Sequence, residues 1–441
     1  MSEMNYTLIY ELVNREYNNV LLLKTELERR GHSVEILCKD QDIRLKHKKS
    51  IVLLPNSSHE EDINAYRYNF NLKNNTLVIY PCEQVINGKL SEDFDYSEKN
   101  PLRDIPILCW GEEYHELMKS VGMNSDKLYK TGAIQLDYCR KEFQSFYAPR
   151  QEIAEKYNLP IEKKWLLFIS DFTLSDDKYA DMLKKSPACN SDEIIVAKAY
   201  EEEVQTIILD WFEQLLLDDE EYVIIYRKHP TEVKIKRIYE IEKKYPQRFL
   251  EISELNIKQW IAVCDKITNY NSTATIESTV FGKPVLLLRP KEFPKESGMK
   301  EYGFFKNYPH INTYQLFFER LKKSNEEDIN IILNNIKQFY DIDQRPAFMR
   351  VADALEEIGH NFFMKKIGKN YTLKRILFLM RTSYMPKRMI KQLYRFYYSL
   401  TGWKPSKETS VTVKEWFGYV DFRRTSKEKE IILKSILCEF F

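Results

Sequence analysis

Short apolar runs of about five residues alternate along the chain with longer stretches whose apolar positions recur at helical spacing. In the first third of the chain, the runs that predict strands are residues 6–10, 33–37, 51–54, 76–80 and 105–109. The first two enclose an amphipathic helix over residues 19–30, which Gly31 ends. A strand, a helix and a second strand at this spacing predict a parallel sheet covered by helices.

The same alternation continues after a polar segment, residues 144–164, that Pro149 and Pro160 interrupt. Beyond it the pattern predicts strands at 165–169, 222–226, 249–252, from 267 and after Gly282, and helices over 193–217, 233–245, 257–264, 313–323 and 325–340. The polar segment therefore separates two α/β domains. We place them at residues 1–145 and 160–345, and a C-terminal helical segment at residues 346–441.

Polar residues follow directly after three predicted strands of the second domain. Ser170 and Asp171 follow the first, His229 follows the strand 222–226, and Ser272 and Thr273 follow the strand that begins at 267. Ligands of open α/β sheets bind outside the carboxyl ends of the strands, and a helix that begins there offers free N–H groups to an anion. The sequence therefore predicts a phosphate site between His229 and the two hydroxyl residues. Ordinary helix capping is the plain alternative for Ser272 and Thr273.

Composition restricts the function classes. The 441 residues are 43% hydrophobic, which suffices for real cores, and the net charge of +1 gives no reason to expect nucleic acid as a partner. Seven scattered cysteines without a C-x-x-C pair argue against a disulfide framework or a zinc site. No basic leader precedes an apolar segment, and no apolar run approaches the ~20 residues that cross a bilayer. We expect a cytoplasmic protein.

Residues 361–407 form a basic, aromatic segment without a single Asp or Glu. Lysines and arginines alternate there with Phe, Tyr and Trp. One interpretation is a set of amphipathic helices that wrap the two domains. The other, which we favour, is a surface that docks on anionic lipid, where basic groups attract the headgroups and aromatic rings lie at the interface.

Several stretches resemble the bacterial surface carbohydrate biosynthesis family. They are residues 8–16 (Leu-Ile-Tyr-Glu-Leu-Val-Asn-Arg-Glu), the helix end Arg30-Gly31-His32, and Glu83. The resemblance covers roughly residues 5–350 and implies the GT-B fold: two Rossmann-like, doubly wound parallel-sheet domains that face a cleft. It also implies that the first domain takes the acceptor and the second takes a nucleotide sugar.

The second domain carries further resemblances. His229-Pro230 is similar to the HP motif of GT-B bacterial sialyltransferases and Kdo transferases, in which the histidine contacts the phosphate of CMP, and the basic-basic-His-Pro run also occurs in teichoic-acid polyol-phosphate transferases. Residues 271–284 resemble the nucleotide-binding stretch of non-hydrolysing UDP-sugar 2-epimerases, where small residues hold phosphate and a Glu holds the ribose. The nucleotide-binding residues implied are Ser170, Arg227, Lys228, His229, Pro230, Asn271, Ser272, Thr273 and Glu277.

A sugar transferase also needs a base for the acceptor hydroxyl. The acidic-Asp-Gly motif of the sialyltransferases is missing, and its nearest counterpart is Cys82-Glu83-Gln84. Glu83, Glu16 and Glu11 each follow a predicted strand, so we take them as candidate bases, with His229 acting on the departing phosphate. An ion-paired surface glutamate is the plain alternative, and Arg15 is an obvious partner for Glu16. Asp171 and Asp137 are weaker candidates for ligand or hinge contacts.

These residues predict a metal-independent glycosyltransferase without a cofactor, at the inner face of the plasma membrane. A CMP-sugar is the favoured donor, a UDP-sugar is possible, and the acceptor is a lipid-linked or oligosaccharide chain of a growing surface glycan such as capsule or O-antigen. Two alternatives stay open. One is a transferase of polyol phosphate from CDP-glycerol or CDP-ribitol, and the other is a non-catalytic nucleotide-binding scaffold at the membrane.

Overall fold

The computed structural model describes residues 3–39, 48–55, 63–64, 66–67, 70, 72, 75–82, 84, 100–185, 189–229, 232–342, 344–361 and 426–438. The chain divides into two compact units. The first comprises Met1–Gln135 and Gln338–Phe441, and the second comprises Leu136–Lys337. Glu83, Pro230 and all but the first residue of the basic segment 361–407 lie outside the described residues, so their predictions stay predictions.

The first unit is built on a parallel sheet of six strands in the order β2-β1-β3-β4-β5-β6. The strands are β1 Asn5–Tyr10, β2 Ser33–Cys38, β3 Ile51–Leu54, β4 Thr76–Ile79, β5 Ile107–Cys109 and β6 Leu128–Lys130. Its helices are α1 Asn18–Arg29, which a π-helical turn over Val13–Tyr17 precedes, and α2 Glu112–Ser120. The short helix α3, Ile134–Asp137, spans the division between the units. The strand order reverses between β1 and β3, which is the switch point of this sheet.

The second unit contains another parallel sheet of six strands, in the order β12-β11-β10-β7-β8-β9. The strands are β7 Lys164–Ile169, β8 Tyr222–Arg227, β9 Phe249–Ile252, β10 Lys266–Asn269, β11 Val285–Leu288 and β12 His310–Ile311. The helices are α4 Arg150–Tyr157, α5 Asp177–Lys184, α6 Ser191–Asp218, α7 Lys236–Lys244, α8 Ile257–Val263, α9 Ala274–Val280, α10 Tyr314–Leu321 and α11 Glu326–Ile336. The switch point lies between β7 and β10. The doubly wound α/β architecture predicted from the sequence is confirmed.

The cores explain why the strand predictions succeed. Both faces of β7 and β8 are covered, so Leu166 and Ile224 pack in one apolar cluster while Leu167 and Ile225 pack in another. Strands that are buried on both sides become continuous apolar runs, which are visible in the sequence. The long α6 provides the apolar cover of the first of these clusters, with Val204 and Phe212 among its buried residues.

The chain returns to the first unit after the second is complete, and α12 Ala347–Asn361 packs on α1 there. Arg30 joins the two helices: its Nη1 lies 2.8 Å from Asp353 Oδ1 and 2.7 Å from Glu356 Oε2, and its Nε lies 2.7 Å from Glu26 Oε1. Gly111 permits the return, because a Cβ there would lie 2.5 Å from the main-chain oxygen of Phe339.

The last described helix, α13 Ser426–Cys438, also packs on α1. Lys24 Nζ lies 3.2 Å from Glu430 Oε1, and Lys429 Nζ donates to Asn18 Oδ1 over 3.2 Å. Within the part of the chain that the structure describes, none of the helices has the length and apolar character that a membrane span requires.

Candidate functional site

Three strand ends meet at the carboxyl edge of the second sheet. Ile169, the last residue of β7, pairs with Arg227 of β8 on one side and with Asn269 of β10 on the other. Neighbouring strands lie about 4.8 Å apart, so the loops after β8 and β10 leave the sheet about 10 Å from each other, with the end of β7 between them. The structure thus places His229, Ser170 and the turn after β10 along one edge, at the switch point.

His229 is half-buried in the loop after β8. Its backbone N–H donates to Glu232 Oε2 over 3.1 Å. Burial, helped by the positive charge of Arg227, lowers the pKa of His229 below its usual value of 6.5. The imidazole is therefore neutral near pH 7, and its one N–H can donate a hydrogen bond to an anionic oxygen.

The two basic residues before His229 make contacts of their own. Arg227 donates from Nη2 to the main-chain oxygen of Leu255 over 2.9 Å and from Nη1 to that of Ile252 over 3.3 Å. Lys228 Nζ lies 3.8 Å from the carboxylate of Glu251. These contacts hold the end of β9 against β8, and the charge of Arg227 also acts on the pKa of His229.

The turn after β10 carries the second group of predicted residues. Ser272 Oγ accepts from the N–H of Ala274 over 3.3 Å, and Thr273 is exposed. Asn271 is buried, and its Oδ1 accepts from Arg289 Nη2 over 3.4 Å. Glu277, one turn into α9, lies 3.5 Å from Lys258 Nζ. The hydroxyl of Ser272 therefore caps the turn, while that of Thr273 faces solvent.

Two residues at this edge received little or no weight from the sequence. Asp171 is half-buried, and no hydrogen bond or ion pair joins its carboxyl group to another described residue. Arg289 is 1% exposed, and its Nη1 has no acceptor among the described residues. Its guanidinium lies 4.0 Å from the ring centroid of Phe293, and its Nη2 lies 3.1 Å from Glu301 Oε1. Arg289 follows β11 directly, as Arg227 ends β8. This position at the end of a strand is the sequence feature from which Arg289 could have been predicted.

Burial, together with the nearby charge of Glu232, raises the pKa of Asp171 from 3.8 to about 8, and Arg289 opposes the rise. The protonated form of Asp171 is therefore favoured near pH 7. A neutral carboxyl group donates an O–H hydrogen bond, so Asp171 can bind a ligand hydroxyl or a phosphoryl oxygen. Glu201 and Glu232 lie in the same buried region, and burial raises their pKa values to about 8 and about 7.

Replacing Asp171 with asparagine should change how stability depends on pH. The folded chain holds a proton on Asp171 that the unfolded chain has lost, so this group makes the wild type lose stability as pH rises from about 4 to about 8. The melting temperature of Asp171→Asn minus that of the wild type should therefore increase steadily across this window. Scanning fluorimetry at five pH values between 5 and 9 measures it, and a constant difference would contradict the assignment.

The first unit brings two of the three candidate bases together at the end of β1. Glu16 is buried, its Oε2 accepts from the N–H of Glu11 over 2.6 Å, and its Oε1 lies 2.7 Å from Arg15 Nη2. Glu11 accepts from the hydroxyl of Tyr66 over 2.7 Å and pairs with Lys39. Both carboxylates lie at the switch point of the first sheet and both are ion-paired.

Asp137 is a weaker candidate of the sequence analysis, and a group of three titratable residues on α2 is an addition from the structure. Asp137 is buried, and Arg140 Nε lies 3.1 Å from its Oδ1, which is a local contact. Among the described residues, Glu112, His115 and Glu116 on α2 are close enough to share a metal ion. Lys130 and Lys119 pair with the two carboxylates instead.

No protein-family model matches this sequence, and no curated protein matches it. Solved structures do. A histidine-to-alanine variant of the wall teichoic acid polymerase TagF superposes with a TM-score of 0.52 at 13% identity, over 82% of this chain and 90% of that one. A putative UDP-N-acetylglucosamine 2-epimerase from Listeria monocytogenes superposes with a TM-score of 0.51 at 11% identity, over 83% of this chain and 100% of the other. Identities this low establish shared architecture only. Together with the two doubly wound sheets, the superpositions show that the chain has the GT-B fold.

Proposed function

We propose that the chain is a glycosyltransferase whose second unit binds a nucleotide-sugar donor at the carboxyl edge of its sheet. The observation that carries this proposal is the presence of two neutral hydrogen-bond donors at one edge of the sheet, after two neighbouring strands. His229 follows β8 and Asp171 follows β7, and both have their proton state set by burial. Anionic oxygens are the groups that such donors recognise.

The chemistry follows from the charge that develops during transfer. As the bond between sugar and nucleotide breaks, negative charge grows on the departing phosphate, and donors aimed at it lower the barrier. His229 and the N–H groups of the turn at Ser272 and Thr273 supply such donors without a metal ion. Asp171 is placed to bind a hydroxyl or phosphoryl oxygen of the same donor.

The acceptor hydroxyl must lose its proton to a base, for which we propose a glutamate of the first unit. Glu83, Glu16 and Glu11 are the candidates. Glu11 and Glu16 each hold a basic partner in the structure, Lys39 and Arg15, so an acceptor hydroxyl would have to replace one of these contacts. Single substitutions to glutamine at the three positions distinguish the base from the two glutamates that have no catalytic role.

The finer identity rests on the resemblances in the sequence. The similarity of His229-Pro230 to the HP motif of bacterial sialyltransferases and Kdo transferases supports a CMP-activated sugar ahead of a UDP-sugar. The resemblance to the bacterial surface carbohydrate biosynthesis family supports a growing capsule-type or O-antigen-type glycan as acceptor. The basic, aromatic residues 361–407 support a place on the anionic inner face of the plasma membrane.

A nucleotide panel tests the proposal. CMP, CDP, UDP and AMP are each added to the wild type at the same concentration, and a nucleotide present at about 100 times its dissociation constant stabilises a folded protein by about 2.7 kcal/mol. We expect a rise of several degrees in melting temperature, largest for CMP, with AMP as the control that binds less well. Failure of all three pyrimidine nucleotides to stabilise the protein would contradict donor binding.

Turnover assays then separate the reaction classes. CMP-sugars and UDP-sugars are compared with CDP-glycerol and CDP-ribitol, using the same protein and acceptor extract. Transfer from a nucleotide sugar supports the proposal, and transfer from a CDP-polyol identifies a polyol-phosphate transferase instead. Binding without turnover of any donor identifies a scaffold.

A further inference from the structure

Glu232 is the acceptor for four hydrogen bonds inside the second unit. It is 3% exposed. Its Oε1 accepts from the hydroxyl of Tyr226 over 2.7 Å and from Nε2 of Gln205 over 3.0 Å. Its Oε2 accepts from the hydroxyl of Ser170 and, over 3.1 Å, from the backbone N–H of His229. One carboxyl group therefore ties together the end of β7, the helix α6, the strand β8 and the loop after β8.

The contact with His229 differs from the other three because it is made to the main chain. Side-chain donors can rotate to other partners, whereas a backbone N–H points wherever its loop points. A second bond closes the same loop, since the N–H of Glu232 donates to the main-chain oxygen of His229 over 2.9 Å. The main chain of His229, from which the imidazole projects, is thus held by a carboxyl group that is itself fixed by the sheet and α6.

We propose that Glu232 is a positioning residue, which fixes the loop of His229 so that the imidazole faces the phosphate of a bound nucleotide. This inference rests on the proposed function of the site. The inference goes beyond the proposed function because it assigns a role to a residue that would not touch the ligand. The rival explanation is that Glu232 only stabilises the fold, in which case its loss lowers stability without acting through His229.

Three substitutions separate the effect of losing the hydrogen-bond acceptor from the effect of changing the volume of the side chain. Glu232→Met is similar in length but accepts no hydrogen bond. Glu232→Asp keeps the charge but draws the carboxyl group back from the loop, and it carries the test if the methionine variant does not fold. Glu232→Gln keeps an amide oxygen for the N–H of His229. Its NH₂ meets the hydroxyl of Tyr226, which can accept, and the amide of Gln205, which turns so that its oxygen accepts instead of its nitrogen donating.

The probe is whichever of CMP, CDP and UDP binds the wild type most tightly, measured by titration calorimetry. We expect Glu232→Met, or Glu232→Asp in its place, to weaken binding about tenfold, which is the effect of losing one well-placed hydrogen bond. Glu232→Gln should restore binding to within about threefold of the wild type. An unchanged affinity in the methionine or aspartate variant would overturn the inference.

A double-mutant cycle with His229→Ala gives the readout that a purely structural role would not move. Once the imidazole is absent, its position no longer matters, so Glu232→Met should weaken binding by less than about twofold in the His229→Ala background. An undiminished, about tenfold loss in that background would show that Glu232 does not act through His229.

Asp328→Met is the matched control. Asp328 is a buried carboxylate of the same unit, paired with Arg320. Asp328 lies in the first turn of α11, near the amino ends of the strands and away from the carboxyl edge. The contact that shows this is made by Lys266, the first residue of β10, whose Nζ donates to the main-chain oxygen of Lys323 just before α11. This control should lose stability yet keep its nucleotide affinity.

The outcomes distinguish the inference from the function it rests on. If His229→Ala itself leaves nucleotide affinity unchanged, the proposed donor site fails and the positioning role fails with it. If His229→Ala weakens binding but Glu232→Met does not, the site stands and only the inference is overturned.

Discussion

Replacing His229 with alanine should weaken nucleotide binding by about tenfold and lower kcat/KM for donor turnover by about 100-fold to 1,000-fold. The imidazole is half-buried and neutral, so it supplies one directed N–H at the place where phosphate charge develops. Removal of a single donor of this kind from an enzyme site has an effect of that size on the rate. The larger loss in rate than in affinity is expected because the charge is greatest in the transition state.

The control for this variant is His115→Ala. His115 lies on α2 of the first unit, beside Glu112 and Glu116, and no step of the proposed reaction uses it. Calorimetry with the nucleotide and initial rates with the active donor should leave the control at wild-type values. An unchanged kcat/KM in His229→Ala, with the fold intact by circular dichroism, would remove the histidine from the mechanism.

Replacing Arg30 with methionine should destabilise the first unit by about 3–5 kcal/mol, the usual cost of removing one partner from a buried ion-pair network. Arg30 neutralises Glu26, which is 0% exposed, and it also contacts Asp353 and Glu356. A fourth bond runs from Nη2 to the main-chain oxygen of Met349 over 3.1 Å. Without the guanidinium, three carboxylates between α1 and α12 lose their shared partner.

Arg29→Met provides the comparison for this effect. Arg29 pairs with the same Glu26 inside α1, but its side chain is 41% exposed. It should lose about 1 kcal/mol or less. Urea unfolding followed by fluorescence measures both variants, and equal losses would show that the link from α1 to α12 adds no stability.

The fold could be predicted because its signals are local. Buried parallel strands are continuous apolar runs, so β7 and β8 stand out in the sequence, and the long helix expected over residues 193–217 is present as α6. The strand β12, of two residues, is not predicted from the sequence because so short a run has no readable period. The helix expected over residues 233–245 begins at Lys236, a difference of the size usual at helix ends.

The position of the site could be predicted from the rule on strand ends, which directed attention to His229, Ser170 and Ser272. Its electrostatics could not. The pKa of Asp171 depends on its burial, and the groups that donate hydrogen bonds to Glu232 come from α6, from β8 and from the residue after β7. The ion pair of Arg30 with Asp353 joins residues 323 positions apart, which no pattern in one sequence reveals.

A crystal structure of the protein with its tightest-binding pyrimidine nucleotide tests the central claim most directly. We expect the phosphate at the carboxyl edge of the second sheet, within about 4 Å of the imidazole of His229 and of a main-chain N–H in the turn at Ser272 and Thr273. A nucleotide bound at the first sheet, or at any position away from the switch point between β7 and β10, would contradict it.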